Sequence, residues 1–254
     1  MNRYFLEVSY AGTNYAGFQI QKNAGTIQSE IENVFTILFR KQVSLTGSSR
    51  TDAGVHALQN YFHFDILESL QSNIVYNINA LLPNDIAVNQ LILVKSGSHC
   101  RFDAIARRYT YHIHRFKNPF LKDRAYYYPY SMDFEKLQYA AGVLKDYVDY
   151  KAFSKRRTQV QNYECTITES CWVMEKEELI YNVKGNRFLR GMVRGLVGTM
   201  LKVGKGKINV ADLRKIIEVK NSSLVDFSVP AKGLFLNQVI FPNEYFNKEG
   251  NGNS

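Results

Sequence analysis

Cysteine is scarce in this chain, and its scarcity is informative. Only three of 254 residues are cysteine, Cys100, Cys165 and Cys171. No two of them form C-x-x-C, and any bridging scheme leaves one over. A disulfide framework and a structural zinc site are thereby excluded, and reduced thiols with a cytoplasmic address are expected. No apolar run approaches the roughly 20 residues needed to span a bilayer. The stretch Met1–Glu7 has no long apolar segment, so a soluble intracellular protein with no membrane partner is expected. The five histidines fall into no H-E-x-x-H or comparable spacing, so no metal is expected. The chain also lacks G-x-x-x-x-G-K-[ST], G-x-G-x-x-G after a strand, and G-x-S-x-G. Nucleoside triphosphate, dinucleotide and serine-hydrolase chemistries lose their main support with them.

What is present is a folding composition with a surplus of positive charge. Hydrophobic residues make up 45% and charged residues 22%, enough to bury a substantial core. Lys and Arg number 32 against 23 Asp and Glu, a formal net charge of +9. No basic amphipathic helix stands out, so the surplus points to nucleic acid before membrane, with plain solubility as the competing explanation.

Periodicity predicts an α+β protein. Strand-like alternation covers Tyr4–Tyr10. Thr26 can cap a helix running to Arg40, with Ile27, Ile31, Val34, Phe35 and Leu38 at helical spacing. Strands at Val43–Thr46 and Leu58–Phe64, a helix over Leu67–Leu81 and a strand at Ile86–Val94 complete a β-α-β-β-α-β order, which is ferredoxin-like. The second half repeats the theme. Its elements are a strand at Ala106–Arg115, a helix at Phe134–Leu144, a hairpin of Tyr163–Met174 and Glu178–Lys184, helices at Arg190–Val203 and Asn209–Val219, and a last strand at Leu234–Phe241. Two ferredoxin-like halves with antiparallel or mixed sheets are expected to meet around a central cleft. Their bounds are 1–100 for the half carrying the Asp52 loop and 101–246 for the half completing the cleft, with a frayed polar tail at 247–254.

The most informative stretch is Gly47–Ala57, which sets Asp52 in a turn of small polar residues between two strands. A side chain there can be held rigidly and still reach a ligand. The bland alternative is an Asx turn, the carboxylate accepting backbone N–H bonds. Arg50 can grip a phosphate or hold a carboxylate charged. Arg101, Arg107 and Arg108 interleave with Phe102, Tyr109 and Tyr111, a mixture that grips phosphates and stacks bases, or else forms an edge strand with solvated arginines. Lys155 and Arg156 lie in a basic loop, Lys151–Arg157. Arg194 interrupts the apolar face of Met192, Val193, Leu196 and Val197; it either snorkels to water or enters the cleft. Leu234, just after Gly233, is either core or pocket wall. Asp-Ala-Gly also resembles the turn of aspartic proteases, but that chemistry needs a partner turn in the other half, and none is there.

In this order, Arg50-Thr51-Asp52-Ala53-Gly54-Val55-His56-Ala57, Arg101-Phe102-Asp103-Ala104 with Ala106-Arg107-Arg108-Tyr109, and Met192-Val193-Arg194 with Leu196-Val197-Gly198 resemble the TruA-type tRNA pseudouridine synthase family. The resemblance runs from Tyr10 to Leu236. It implies isomerisation of uridine to pseudouridine in the anticodon stem-loop of tRNA, at positions 38–40, by a homodimer that uses no cofactor. It implies that Asp52 is the catalytic aspartate and Tyr109 the residue contacting the target base. Arg194 is then the basic partner of the aspartate, Leu234 the apolar pocket residue, and Arg50 the residue holding the extruded nucleotide. Two departures stand out: Cys100 takes the place of an alanine before Arg101, and Asp149-Tyr150-Lys151-Ala152-Phe153 replaces Asp-Phe-x-x-Phe. A protein that binds structured RNA without catalysis is the rival expectation.

Overall fold

Period-two alternation from Asn2 to Tyr10 produces β1, whose Tyr4, Leu6, Val8 and Tyr10 are buried on one face. The computed structural model describes residues 1–71, 73–155, 160–243 and 245–246, so Arg156 and the 247–254 tail lie outside the described residues. Helix α1 covers Ile27–Phe39 and starts on a reciprocal capping box between Thr26 and Ser29. It ends at Arg40 in the left-handed region, φ 53°. The first half continues with β2 (Thr46–Gly47), β3 (His56–Ile66), α2 (Ile74–Leu81) and β4 (Ile86–Val94).

Two expectations here were too long. The strand at 43–46 contracts to two residues paired with Phe62 and His63, while Val43 and Leu45 are buried from irregular backbone. The helix over 67–81 begins only at Ile74. Leu70 reaches the core from an irregular segment, its N–H donating to Tyr4 Oη at 3.1 Å. Tertiary anchoring outweighs helical periodicity there.

The second half contains β5 (Ala106–His114), β6 (Tyr126–Tyr127), α3 (Phe134–Val143), β7 (Ile167–Glu175), β8 (Glu178–Gly185), α4 (Met192–Gly204), α5 (Val210–Val219) and β9 (Leu234–Ile240). Asp133 caps α3, and Asn209 with Asp212 forms the capping box of α5. The expected hairpin is the antiparallel β7–β8 pair.

The nine strands of the described residues belong to one sheet, ordered β4-β1-β3-β9-β5-β8-β7, with β2 on β3 and β6 on β5. Each half keeps the ferredoxin-like order, so the α+β class holds. The two sheets are however joined into one through β9, which runs parallel to β3 with the pairs His56↔Phe235 and Ala57↔Leu236. One row of side chains crosses this seam: Tyr10 opposite Ala57, Ala57 beside Leu236, and Leu236 opposite Tyr109. A register shift between Val8 and Tyr10 keeps that row on one face. Among the described residues no helix is long and apolar enough to cross a membrane, and all three cysteines are unpaired.

Phe62 is fully buried and stacks on Phe18 at 4.3 Å, tying β3 to the segment before α1. Phe62→Ala should cost about 3–5 kcal/mol. Urea unfolding should show a lower midpoint with an unchanged slope; an unchanged midpoint would mean the site collapses without loss.

Candidate active site

Directly before the seam, residues 47–55 cross above the row that contains Tyr10 and Tyr109, and they are pinned at nearly every step. Ser48 N–H donates to Tyr61 O at 2.8 Å. Asn60 is completely buried; its Oδ1 accepts from Ser49 N–H at 3.3 Å and its Nδ2 donates to Ser49 O at 2.8 Å. Tyr10 Oη meets Thr51 Oγ1 at 2.8 Å, and Thr51 O accepts from Phe18 N–H at 3.1 Å. Asp52 O accepts from Val55 N–H at 3.2 Å, closing a turn through Gly54, whose φ of +76° suits glycine. His56 Nδ1 accepts from Gly12 N–H at 3.2 Å, fixing its tautomer, and burial lowers the pKa of the ring so that it stays neutral.

With the backbone held this way, the Asp52 carboxylate is left over. It accepts no hydrogen bond from any described residue, so the Asx-turn alternative is not what the loop uses. Its side chain is 28% exposed, and among the described residues the cation within 4 Å of it is Arg190, with Nε 3.9 Å from Oδ1. Arg190 lies at the entrance to α4, where Gly191 takes φ +73° and the first turn contains no acidic residue. A helix N-terminus favours anions, so helix and guanidinium act on Asp52 with the same sign.

Tyr109 is buried on β5, edge-on to Phe188 at 5.1 Å. Burial pushes its phenol up to about 12, opposed by Arg107 and reinforced by Asp52. The neutral phenol can stack or donate a hydrogen bond; taking up a proton would first require the phenolate. Leu234 is buried at the start of β9 opposite Tyr111, whose Oη donates to Pro230 O at 2.7 Å.

The other arginines divide by strand parity and by what already satisfies them. Arg194 does not pair with Asp52 in this structure: its Nε donates to Val229 O at 2.8 Å, and Arg190, one turn earlier, is the nearer cation. Arg107 shares Tyr109's face but is occupied as a staple, donating to Arg101 O at 2.7 Å, Ala104 O at 3.0 Å and Asn186 O at 3.1 Å. Arg108 faces the opposite side of the sheet, paired with Glu169 at 3.0 Å, and is not brought to Asp52. Lys155 is brought in: its N–H donates to Arg190 O at 3.0 Å and its stem lies over Gly191. Arg50 and Arg101 are exposed and have no acidic partner within 4 Å among the described residues. Arg187 and Arg190 carry no expectation from the sequence; the basic run Arg187, Arg190, Arg194 leading into α4 is the signal that marks them.

Gly12 packs so closely beneath this loop that an added Cβ would lie 1.9 Å from Val55 O. Gly12→Ala should therefore force backbone to move and destabilise the protein by about 1–3 kcal/mol. Thermal unfolding measures this; an unchanged Tm would show that the loop is not rigidly seated.

Comparison with known proteins adds an independent finding. Residues 147–242 match the family described as tRNA pseudouridine synthase. Over 247 residues the chain is 41% identical to a tRNA pseudouridine synthase A of Azobacteroides pseudotrichonymphae, covering 97% of this chain and 99% of that protein. It is 41% identical over 249 residues to the Parabacteroides distasonis protein of that name, covering 97% and 98%. With the Staphylococcus aureus (strain N315) protein of that name it shares 36% over 253 residues, covering 98% and 95%. Likeness of this degree over nearly the full length, together with a free carboxylate at the seam, makes the chain an enzyme of the tRNA pseudouridine synthase A family.

Proposed function

We propose that the protein isomerises uridine to pseudouridine in the anticodon stem-loop of tRNA, at positions 38–40, with Asp52 as the nucleophile, working as a cytoplasmic homodimer. The observation that carries the reaction is the Asp52 carboxylate itself: rigidly presented, partly exposed, without a backbone hydrogen bond, and 3.9 Å from Arg190. A carboxylate so placed has its lone pairs available for a substrate.

The chemistry is economical in what it requires. The N1–C1′ bond of uridine breaks, the uracil turns, C5 bonds to C1′, the C5 proton leaves and N1 gains one. Nothing is hydrolysed, so the second carboxylate of a glycosidase, which serves water, is not needed. Net isomerisation also transfers no electrons to an acceptor. Asp52 can form an adduct at C1′ or C6, or remove the C2′ proton. Arg190, 3.9 Å away, sets a positive charge beside it in each case. Tyr109, neutral and beside the seam, can stack on the uracil or donate to it, and Leu234 supplies an apolar wall. Among the described residues the Arg194 guanidinium is held through Nε alone, leaving its terminal nitrogens for the substrate or for Asp52 once RNA is bound. Extruding the base costs a few kcal/mol, offset by phosphate contacts from Arg50, Arg101 and Lys155.

Asp52→Asn should lower pseudouridine formation by more than about 10³-fold while leaving tRNA affinity within a few-fold. Carbodiimide mapping on unmodified tRNA transcripts, with filter binding in parallel, measures both and shows which uridines are chosen. Sustained turnover by this variant removes the nucleophile assignment, and absent turnover by the wild type favours a protein that only binds RNA.

The two arginines separate by kinetics. Arg190→Met and Arg194→Met should each cut kcat, by about 10²-fold for a charge acting at the reacting centre, with smaller changes in KM. If only Arg194→Met does so, the Asp52–Arg190 approach is replaced when substrate binds. Equal losses in affinity and turnover for both would make them RNA anchors instead.

A further inference from the structure

Beside the catalytic loop lies a pocket of about 200 Å³, walled by Phe18, Gly47, Arg50, His99, Arg101 and Phe102. Neither Phe102 nor His99 has a part in the chemistry above. Phe102 is 74% exposed, an unfavourable position for a ring this large. It is nevertheless held in place. Its ring packs on His99 at 4.2 Å, and the Arg101 guanidinium sits 5.8 Å from its centroid.

The loop beneath it is fixed at both ends. His99 N–H donates to Asp103 Oδ2 at 2.8 Å, and Asp103 N–H returns to His99 O at 3.0 Å. Arg101 N–H donates to His99 Nδ1 at 3.1 Å, and Tyr245 Oη donates to the Asp103 carboxylate. Arg107 holds the Arg101 carbonyl from below at 2.7 Å. An exposed aromatic ring on so constrained a loop is a preorganised platform.

The charge around the platform lacks a counterpart. Burial, and then the like charges of Arg50 and Arg187, work against the charge on Arg101. None of these three arginines has an acidic partner within 4 Å among the described residues. Two guanidinium groups, Arg50 and Arg101, beside an apolar ring match a nucleotide, phosphate to the cations and base to the ring. Arg50 stands two residues before Asp52, at most about 7 Å along the chain. Whatever fills the pocket is therefore adjacent to whatever Asp52 attacks.

We infer that this pocket receives the nucleotide next to the target uridine, its base stacked on Phe102 and its phosphate held between Arg50 and Arg101. This rests on the RNA substrate proposed above and deepens it: the enzyme displaces two consecutive bases, one for chemistry and one for grip. Of the two glutamines in its wall, Gln28 has both amide N–H groups taken, by Glu32 Oε1 at 2.8 Å and Leu45 O at 2.9 Å, so the Phe102 stack carries most of the binding.

The test measures affinity in an Asp52→Asn background, by fluorescence anisotropy with anticodon stem-loop RNAs. One set is intact, one is abasic on the 5′ side of the target, one is abasic on the 3′ side, and one varies the neighbouring base. Phe102→Ala should weaken binding of intact RNA about tenfold, the expected loss for one stacked base, whereas Phe102→Trp retains it. One of the two abasic RNAs should bind about tenfold more weakly to the Phe102 protein and show no further loss with Phe102→Ala. Swapping the neighbouring base should change affinity by less than removing it does. Arg101→Gln should reduce the slope of log affinity against log salt by about one.

Equal losses with Phe102→Ala on intact and both abasic RNAs would overturn the inference, as would no loss at all. A shift in oligomeric state with Phe102→Ala, read by light scattering, would overturn it by making the ring a protein contact. Turnover by the wild-type enzyme on intact RNA is scored separately. If it is absent, the proposed reaction fails while the stacking inference still stands or falls on affinity.

Discussion

The parallel contact between β3 and β9 is the constraint on which the site depends. Only two residue pairs make it, His56↔Phe235 and Ala57↔Leu236, yet it converts two ferredoxin-like halves into one sheet. Because a strand pair fixes the facing of every side chain along it, the contact aligns Tyr10 from the first strand with Tyr109 from the fifth in a single row. The loop bearing Asp52 ends where β3 enters this seam. A carboxylate supplied by one half and an arginine-rich helix start supplied by the other are brought within 4 Å of each other there.

Rigidity at the loop is obtained mostly with neutral groups. Asn60, Tyr10 and Thr51 bond one another and the backbone, and His56 Nδ1 accepts from Gly12, with Arg107 adding a 3.4 Å bond to Ser49 Oγ. Buried neutral hydrogen bonds contribute modestly to stability but strongly to a unique geometry. The charged groups are kept for the open side. Arg190 and Arg194 flank the start of α4, the end of a helix where positive charge is unfavourable by about 0.3–1 kcal/mol each.

Arginine function along β5 follows from strand geometry. Arg107 and Arg108 are neighbours in sequence but point to opposite faces of the sheet, so one braces the loop of Arg101 and the other pairs with Glu169. Neither role is visible from composition, which registers both as basic residues next to aromatics. Arg101, outside the strand, retains an open guanidinium beside Phe102.

Much of this was determined by local sequence. Thr26 with Ser29 and Asn209 with Asp212 set helix starts through capping chemistry that depends on a few adjacent residues. Alternation along Ile86–Val94 and Ala106–His114 set strands, and the small residues around Asp52 marked a turn. Tertiary structure decided the rest. Leu70 left the helical register because Tyr4 offered its backbone a partner, and the two halves shared one sheet because β9 found the free edge of β3. The nearest cation to Asp52 became Arg190 rather than Arg194, since the Val229 carbonyl captured the latter. Caps and alternation are short-range and can be read along the chain. Pairings between residues distant in the chain depend on which edges and carbonyls packing leaves open, and no local pattern encodes that.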